Sequence, residues 1–102
     1  MLCMRVERTQ DFVKWLDALK DIVGRAKILK RIDRLAHGNA GDYKALSGGI
    51  KELRVNFGPG YRVYYVERGK TLVVLLAGGD KATQRRDIAT ALRLAENLEE
   101  SR

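Results

Sequence analysis

Two arginines in the second half of the chain, Arg54 and Arg62, lie in the stretches Glu52 to Phe57 and Tyr61 to Val66, where polar and apolar residues alternate. A period of two marks strands with one buried face. Gly58, Pro59 and Gly60 predict a three-residue hairpin loop that sets Phe57 opposite Tyr61, Asn56 opposite Arg62 and Arg54 opposite Tyr64. In that register Glu52, Arg54, Asn56, Arg62 and Tyr64 form one polar platform, and Leu53, Val55, Phe57, Tyr61, Val63 and Tyr65 form the apolar face that packs on helices. Lys81 is expected to lean over the platform and Lys51 to stand at its edge.

Two guanidiniums beside a carboxylate, a phenol and a lysine suit a phosphodiester, because the planar fork of arginine matches phosphate oxygens bidentately. For RNA the same groups supply what cleavage needs: removal of the 2′-hydroxyl proton, stabilisation of the charged phosphorane, and protonation of the leaving oxygen. Arg54 and Arg62 would hold the charge, Lys81 would act as acid and Glu52 as base. Lys51, Asn56, Tyr64 and Arg85 are the expected RNA contacts. This chemistry needs no metal and no cofactor. A plainer role fits the same spacing, since arginine and glutamate on an exposed sheet face commonly form cross-strand pairs worth only about 0.2 to 1 kcal/mol each.

The elements that must position these residues can be read from periodicity. Met4 to Arg8 alternate weakly as a short strand. Thr9 can cap a helix carrying Phe12, Val13, Trp15, Leu16 and Leu19, with Ile22 and Val23 closing its apolar stripe. From Arg25 the pattern restarts with Ile28, Leu29, Ile32, Leu35 and Ala36 and stops at His37 and Gly38, so two helices form a hairpin. Residues 38–49, rich in glycine, are the one long connection. Leu72 to Leu76 is an uninterrupted apolar run suited to a central strand, and Gln84 to Leu98 places Ile88, Ala91, Leu92, Ala95 and Leu98 at helical spacing. The order is β-α-α-β-β-β-α, an α+β design with an antiparallel sheet packed on a helical hairpin.

A length of 102 residues makes residues 1–102 a single expected domain. With one cysteine and one histidine there is no disulfide framework and no soft-metal cluster, and no apolar run approaches the ~20 residues of a membrane span. The expected setting is the cytoplasm. A formal net charge of +7 makes a polyanion the default partner, with an acidic protein as the alternative. The basic run Arg25, Lys27, Lys30, Arg31 and Arg34 reads first as a solvated helix face. His37 reads as a partner for the helix dipole, and Trp15 as core.

The helix pair around Phe12, Lys14, Trp15 and Leu16, then Glu52-Leu53-Arg54-Val55, Gly58-Pro59-Gly60-Tyr61-Arg62-Val63-Tyr64 and Leu75-Leu76-Ala77-Gly78-Gly79-Asp80-Lys81, resembles the HigB-like "addiction module killer protein" branch of the RelE/ParE toxin superfamily. The resemblance runs from about residue 4 to 98. It implies a RelE-like fold and a type II toxin neutralised by a cognate antitoxin, with members of the RelE kind cutting mRNA in the ribosomal A site without metal. Arg54 and Arg62 fall on the basic strand positions of the family's active face, and Lys81 on the basic position after the last strand. Glu52 stands where the best-known members have a basic residue, and Asp87 stands near the place of their late tyrosine. Two other functions fit the same scaffold: a ParE-like inhibitor of DNA gyrase, and a binding module without activity.

Overall fold

The computed structural model describes residues 3–100. In chain order it contains β1 (Arg5–Arg8), α1 (Gln10–Ala18), α2 (Ile22–Ala36), β2 (Tyr43–Ala45), β3 (Lys51–Val55), β4 (Tyr61–Arg68), β5 (Leu72–Asp80) and α3 (Gln84–Glu100), with single 3-10 turns at Ser47–Gly49 and Lys81–Thr83. The strands form one sheet in the order β1-β5-β4-β3-β2. The α+β class is as expected, with two differences. The sheet is mixed, because β1 runs parallel to β5 while the other pairs are antiparallel. The glycine-rich connection also holds an extra strand, β2, whose three exposed residues have no alternation to betray them and exist as a strand only through pairing with β3.

Side-chain caps fix both helix starts. Thr9 Oγ1 accepts from the Phe12 amide at 3.1 Å and donates to the Leu76 carbonyl at 2.6 Å, tying the start of α1 to β5. Asp21 caps α2 by accepting from the Gly24 amide at 2.9 Å. This cap starts α2 at Ile22, so Ile22 and Val23 belong to its first turn and face solvent instead of closing the stripe of α1. His37 sits at the C-terminus of α2, as its dipole role requires.

The helices α1 and α2 bury Phe12, Leu16, Ile28 and Ile32 against Leu53, Val63, Tyr65 and Leu75 on one face of the sheet. On the other face α3 packs Ala91 and Ala95 against Tyr64, Val66, Val74 and Leu76. Two apolar layers thus enclose β4 and β5, which explains the unbroken apolar run of β5. The β3–β4 register differs from expectation: Val55 pairs with Tyr61, Arg54 with Arg62 and Glu52 with Tyr64, leaving residues 56–60 as a five-residue loop. The slip is two residues, which preserves the period-two alternation, so Glu52, Arg54, Arg62 and Tyr64 still share one face and Leu53, Val55, Tyr61, Val63 and Tyr65 the other.

A bulge in β5 leaves Leu76 unpaired between Leu75 opposite Tyr65 and Ala77 opposite Tyr64, and both Leu76 and Ala77 pack under α3. Beyond it, Gly78 lies against α1, where an added Cβ would overlap the Trp15 ring. Gly78→Ala should therefore lower stability by about 1 to 3 kcal/mol through overpacking. Thermal unfolding would register this as a drop in midpoint of about 4 to 8 °C per kcal/mol.

Candidate functional site

The direct pairing of Arg54 with Arg62 starts both side chains from adjacent points on one sheet face. They then diverge. Arg54 turns toward the sheet edge, donating from Nη2 and Nε to Asp42 Oδ1 at 3.1 and 3.3 Å, and Asn56 Nδ2 donates to Asp42 Oδ2 at 3.2 Å. Beneath them Arg31 Nη1 donates to the Arg54 carbonyl at 2.6 Å, while Nη2 donates to the Ala40 and Asp42 carbonyls at 2.9 and 3.0 Å. Arg31 is therefore a staple between α2, β3 and the Asp42 loop, not part of a solvated face. Burial, reinforced by the neighbouring Arg34 charge, lowers its pKa.

Arg62 turns inward and is only 9% exposed. Its Nη1 donates to the Gly60 carbonyl at 3.0 Å, and its Nε lies 3.9 Å from Glu52 Oε1 without a hydrogen bond of its own. Glu52 is 1% exposed and accepts from Gln84 Nε2 of α3 at 2.7 Å. Tyr64 is fully buried in the same cluster; burial, and then the Glu52 and Asp87 carboxylates, raise its pKa. Asp87, also buried, accepts from the Thr83 hydroxyl and fills the space that Gly79 leaves by lacking a side chain.

The open platform expected from alternation is thus roofed over half its extent by the start of α3. The cause is local. Asp80 caps the turn after β5, accepting from the Ala82 and Thr83 amides at 2.9 and 3.2 Å, while Thr83 Oγ1 accepts from the Asp80 amide at 3.2 Å. This capping box reverses the chain so that α3 runs back across the sheet. Tyr64 therefore cannot stack on a base, and Glu52 does not reach solvent to act as a free base.

Lys81, exposed at the head of that turn, starts beside Arg62: a Cβ at Gly60 would stand 3.3 Å from Arg62 Nη1 and 3.5 Å from Lys81 Cβ, so both side chains border this glycine. Arg85 is exposed on the first turn of α3. Lys51 stands apart. It pairs with Tyr65, on the face of α1 and α2, and binds Glu67 at 3.2 Å. The parity that joined Arg54 to Arg62 excludes Lys51 from their patch. Periodicity missed Asp42 and Gln84, which lie outside the strands and meet Arg54 and Glu52 only through the fold.

Residues 14–98 match the family described as Phage derived protein Gp49-like (DUF891). The chain is 46% identical over 97 residues to an uncharacterized protein of Haemophilus influenzae strain Rd, an alignment covering 95% of this chain and 98% of that one. Its fold is similar to that of a mutant of the E. coli toxin RelE in the free state, with a TM-score of 0.74 and 16% identity over 90% of this chain and 97% of the other. At that identity the likeness is one of fold, and the expected RelE-like fold is the one observed.

The buried phenols carry a pH consequence. Burial raises the pKa of both Tyr64 and Tyr65, with Glu52 the next cause at the first and Glu67 at the second. Above the ordinary tyrosine pKa of about 10 the unfolded chain loses protons that the folded chain keeps, so stability falls as pH rises, by up to about 1.4 kcal/mol per pH unit for each phenol. Urea unfolding from neutral to alkaline pH should show this decline, and Tyr64→Phe should lessen its slope.

Proposed function

The chain belongs to the Gp49-like phage-derived family, and on that premise we propose that it is the toxin of a type II toxin-antitoxin pair, a cytoplasmic endonuclease that cuts mRNA on the ribosome without a metal. One observation carries the reading: Arg54 and Arg62 face each other directly across β3 and β4, with Lys81 at the same end of the sheet. Like charges directly opposed on a sheet cost stability unless an anion lies between or beside them. Here Asp42 and Glu52 supply part of that compensation.

The Asp42 carboxylate accepts from Arg54 and Asn56 much as a phosphate would. An RNA phosphate that displaces it meets an exposed amide and guanidinium, with Arg62 and Lys81 around Gly60 on its other side. In the reaction the 2′-oxygen gives its proton to a solvent water and bonds to phosphorus, and the bond to the 5′-oxygen breaks. That oxygen takes a proton from Lys81, leaving a 2′,3′-cyclic phosphate. Arg54 and Arg62 stabilise the charge of the phosphorane. Glu52, held by Gln84, orients Arg62 and does not touch RNA. A patch that holds the anion but offers no free base depends on in-line placement of the 2′-hydroxyl, worth several kcal/mol of barrier when a rigid frame imposes it. A codon held in the ribosome is such a frame, which is why we place the reaction there.

The burial of Glu52, Arg62 and Tyr64 favours one second reading, in which the cluster only braces the fold and the chain acts as a ParE-like gyrase inhibitor. Transcript-end mapping after induction separates the two: cuts at codon-specific points support the endonuclease, whereas DNA breaks with intact transcripts overturn it. Arg54→Ala with Lys81→Ala alters two surface residues, avoiding the folding risk of the buried Arg62. This pair should slow cleavage by about 100-fold or more and relieve growth arrest. A double variant as toxic as the parent would refute the assignment.

A further inference from the structure

Between α2 and the loop after β3 lies a groove of about 220 Å3, with Lys27, Lys30, Arg31 and Arg34 on its helix side and Asn56 and Phe57 on its loop side. Pockets that bury a whole small molecule run to ~300 Å3 or more, so this one suits a single flat ring. Its walls carry four cations and no carboxylate. Like charges three and four residues apart on a helix repel one another, and the Arg34 charge adds to burial in lowering the Arg31 pKa. Arg31 is already engaged by three carbonyls. Lys27, Lys30 and Arg34 are exposed and form no ion pair with another described residue, so an anion seated here would relieve their repulsion.

Phe57 gives the groove its second character. It packs against the core of α1 and α2 and presents a ring face over which Lys27 Nζ stands, 5.0 Å from the centroid. At an exposed site that contact is weaker than the stack of a nucleobase on an aromatic ring, so a base can displace the ammonium. Tyr43 also has a lysine over its ring, but that lysine, Lys51, is already neutralised by Glu67 at 3.2 Å. The groove also adjoins the cationic patch. Asn56 shares the Asp42 carboxylate with Arg54, and Arg31 holds the Arg54 carbonyl. We infer that the groove binds one unpaired nucleotide of a single strand, its base stacked on Phe57 and its flanking phosphates held by Lys30 and Arg34. Phe57 thus takes the stacking task that burial denies to Tyr64. An acidic protein segment would satisfy the cations but leave the ring unused, and a paired duplex keeps its bases out of reach. That the strand is the one being cut, beside the linkage at Arg54, rests on the endonuclease reading.

The test measures binding of the full chain to two labelled strands by fluorescence anisotropy: a hexauridylate with 2′-methoxy groups, which cannot be cut, and an abasic phosphodiester strand of the same length. The parent should prefer the base-carrying strand by about 5-fold or more. Phe57→Leu, which keeps an apolar contact with the core, should abolish that preference without changing affinity for the abasic strand, and Phe57→Trp should restore it. Lys30→Gln with Arg34→Gln, two surface changes, should weaken both strands and make the slope of log affinity against log salt shallower by about 1.4. A preference that survives Phe57→Leu, or a salt slope unmoved by the double variant, overturns the inference. So does a deca-glutamate peptide that binds the parent as tightly as the hexauridylate and is lost in the double variant, which would make the groove an acidic-protein contact. Codon-specific cuts in transcripts together with an undiminished preference in Phe57→Leu defeat the groove and spare the endonuclease; loss of the preference in Phe57→Leu with transcripts left intact by the parent chain does the reverse.

Discussion

The phenol of Tyr61 donates a hydrogen bond to Asp21 at 2.8 Å, and the placement of the rest follows from that contact. The same carboxylate caps α2, so one side chain decides both where the helix begins and where the first residue of β4 sits beneath it. Gly24 makes the approach feasible, since a Cβ there would stand 2.6 Å from the Tyr61 ring. Trp15 packs edge-on against the same ring from α1, with centroids 6.3 Å apart. The contact leaves its electrostatic signature on both partners: the hydrogen bonds from Gly24 and Tyr61 lower the pKa of Asp21, while burial and then Asp21 raise that of Tyr61. With Tyr61 held in this way and paired to Val55, Arg62 falls opposite Arg54.

A site built on a packed sheet meets a conflict between burial and access. The far face of β4 must be covered because Tyr64 and Val66 are too apolar to leave in water, yet the same face of the strand carries Arg62 two residues before Tyr64. The fold resolves this with a polar cluster under α3: Gln84 on Glu52, Glu52 near Arg62, and Asp87 in the space above Gly79. Such a cluster is stable only while its members remain satisfied, since a buried charge without a partner costs several kcal/mol. The start of α3 therefore serves two ends, closing the second core and setting how much of Arg62 a ligand can meet. Arg54, on β3 beside the edge strand β2, keeps 37% of its side chain exposed and exchanges its partner more easily.

Much of the fold was legible in the sequence because its signals are local. Thr9 capped α1 as its type and position imply, the period of two located β3 and β4, and the apolar run of Leu72 to Leu76 identified a strand covered on both faces. The shared face of Arg54 and Arg62 was legible even though the loop length was misjudged, since a slip of two residues leaves parity intact. Ile22 and Val23 misled because an apolar pair beside an apolar stripe looks like its continuation, and only the Asp21 cap assigns them to the next helix. The strand β2 left no trace, having three exposed residues and no alternation.

By itself, then, the sequence determined the period and chemistry of each element, the sign of the surface charge and the side of the sheet on which each arginine lies, because caps, alternation and composition act over a few residues. Tertiary structure alone decided that β1 joins in parallel at the far edge, that Arg31 becomes a staple, that Asp42 faces Arg54, and that α3 encloses Glu52 and Tyr64. Those outcomes depend on which distant surfaces meet, and the free energy of that meeting is carried by pairs of residues that no local pattern connects.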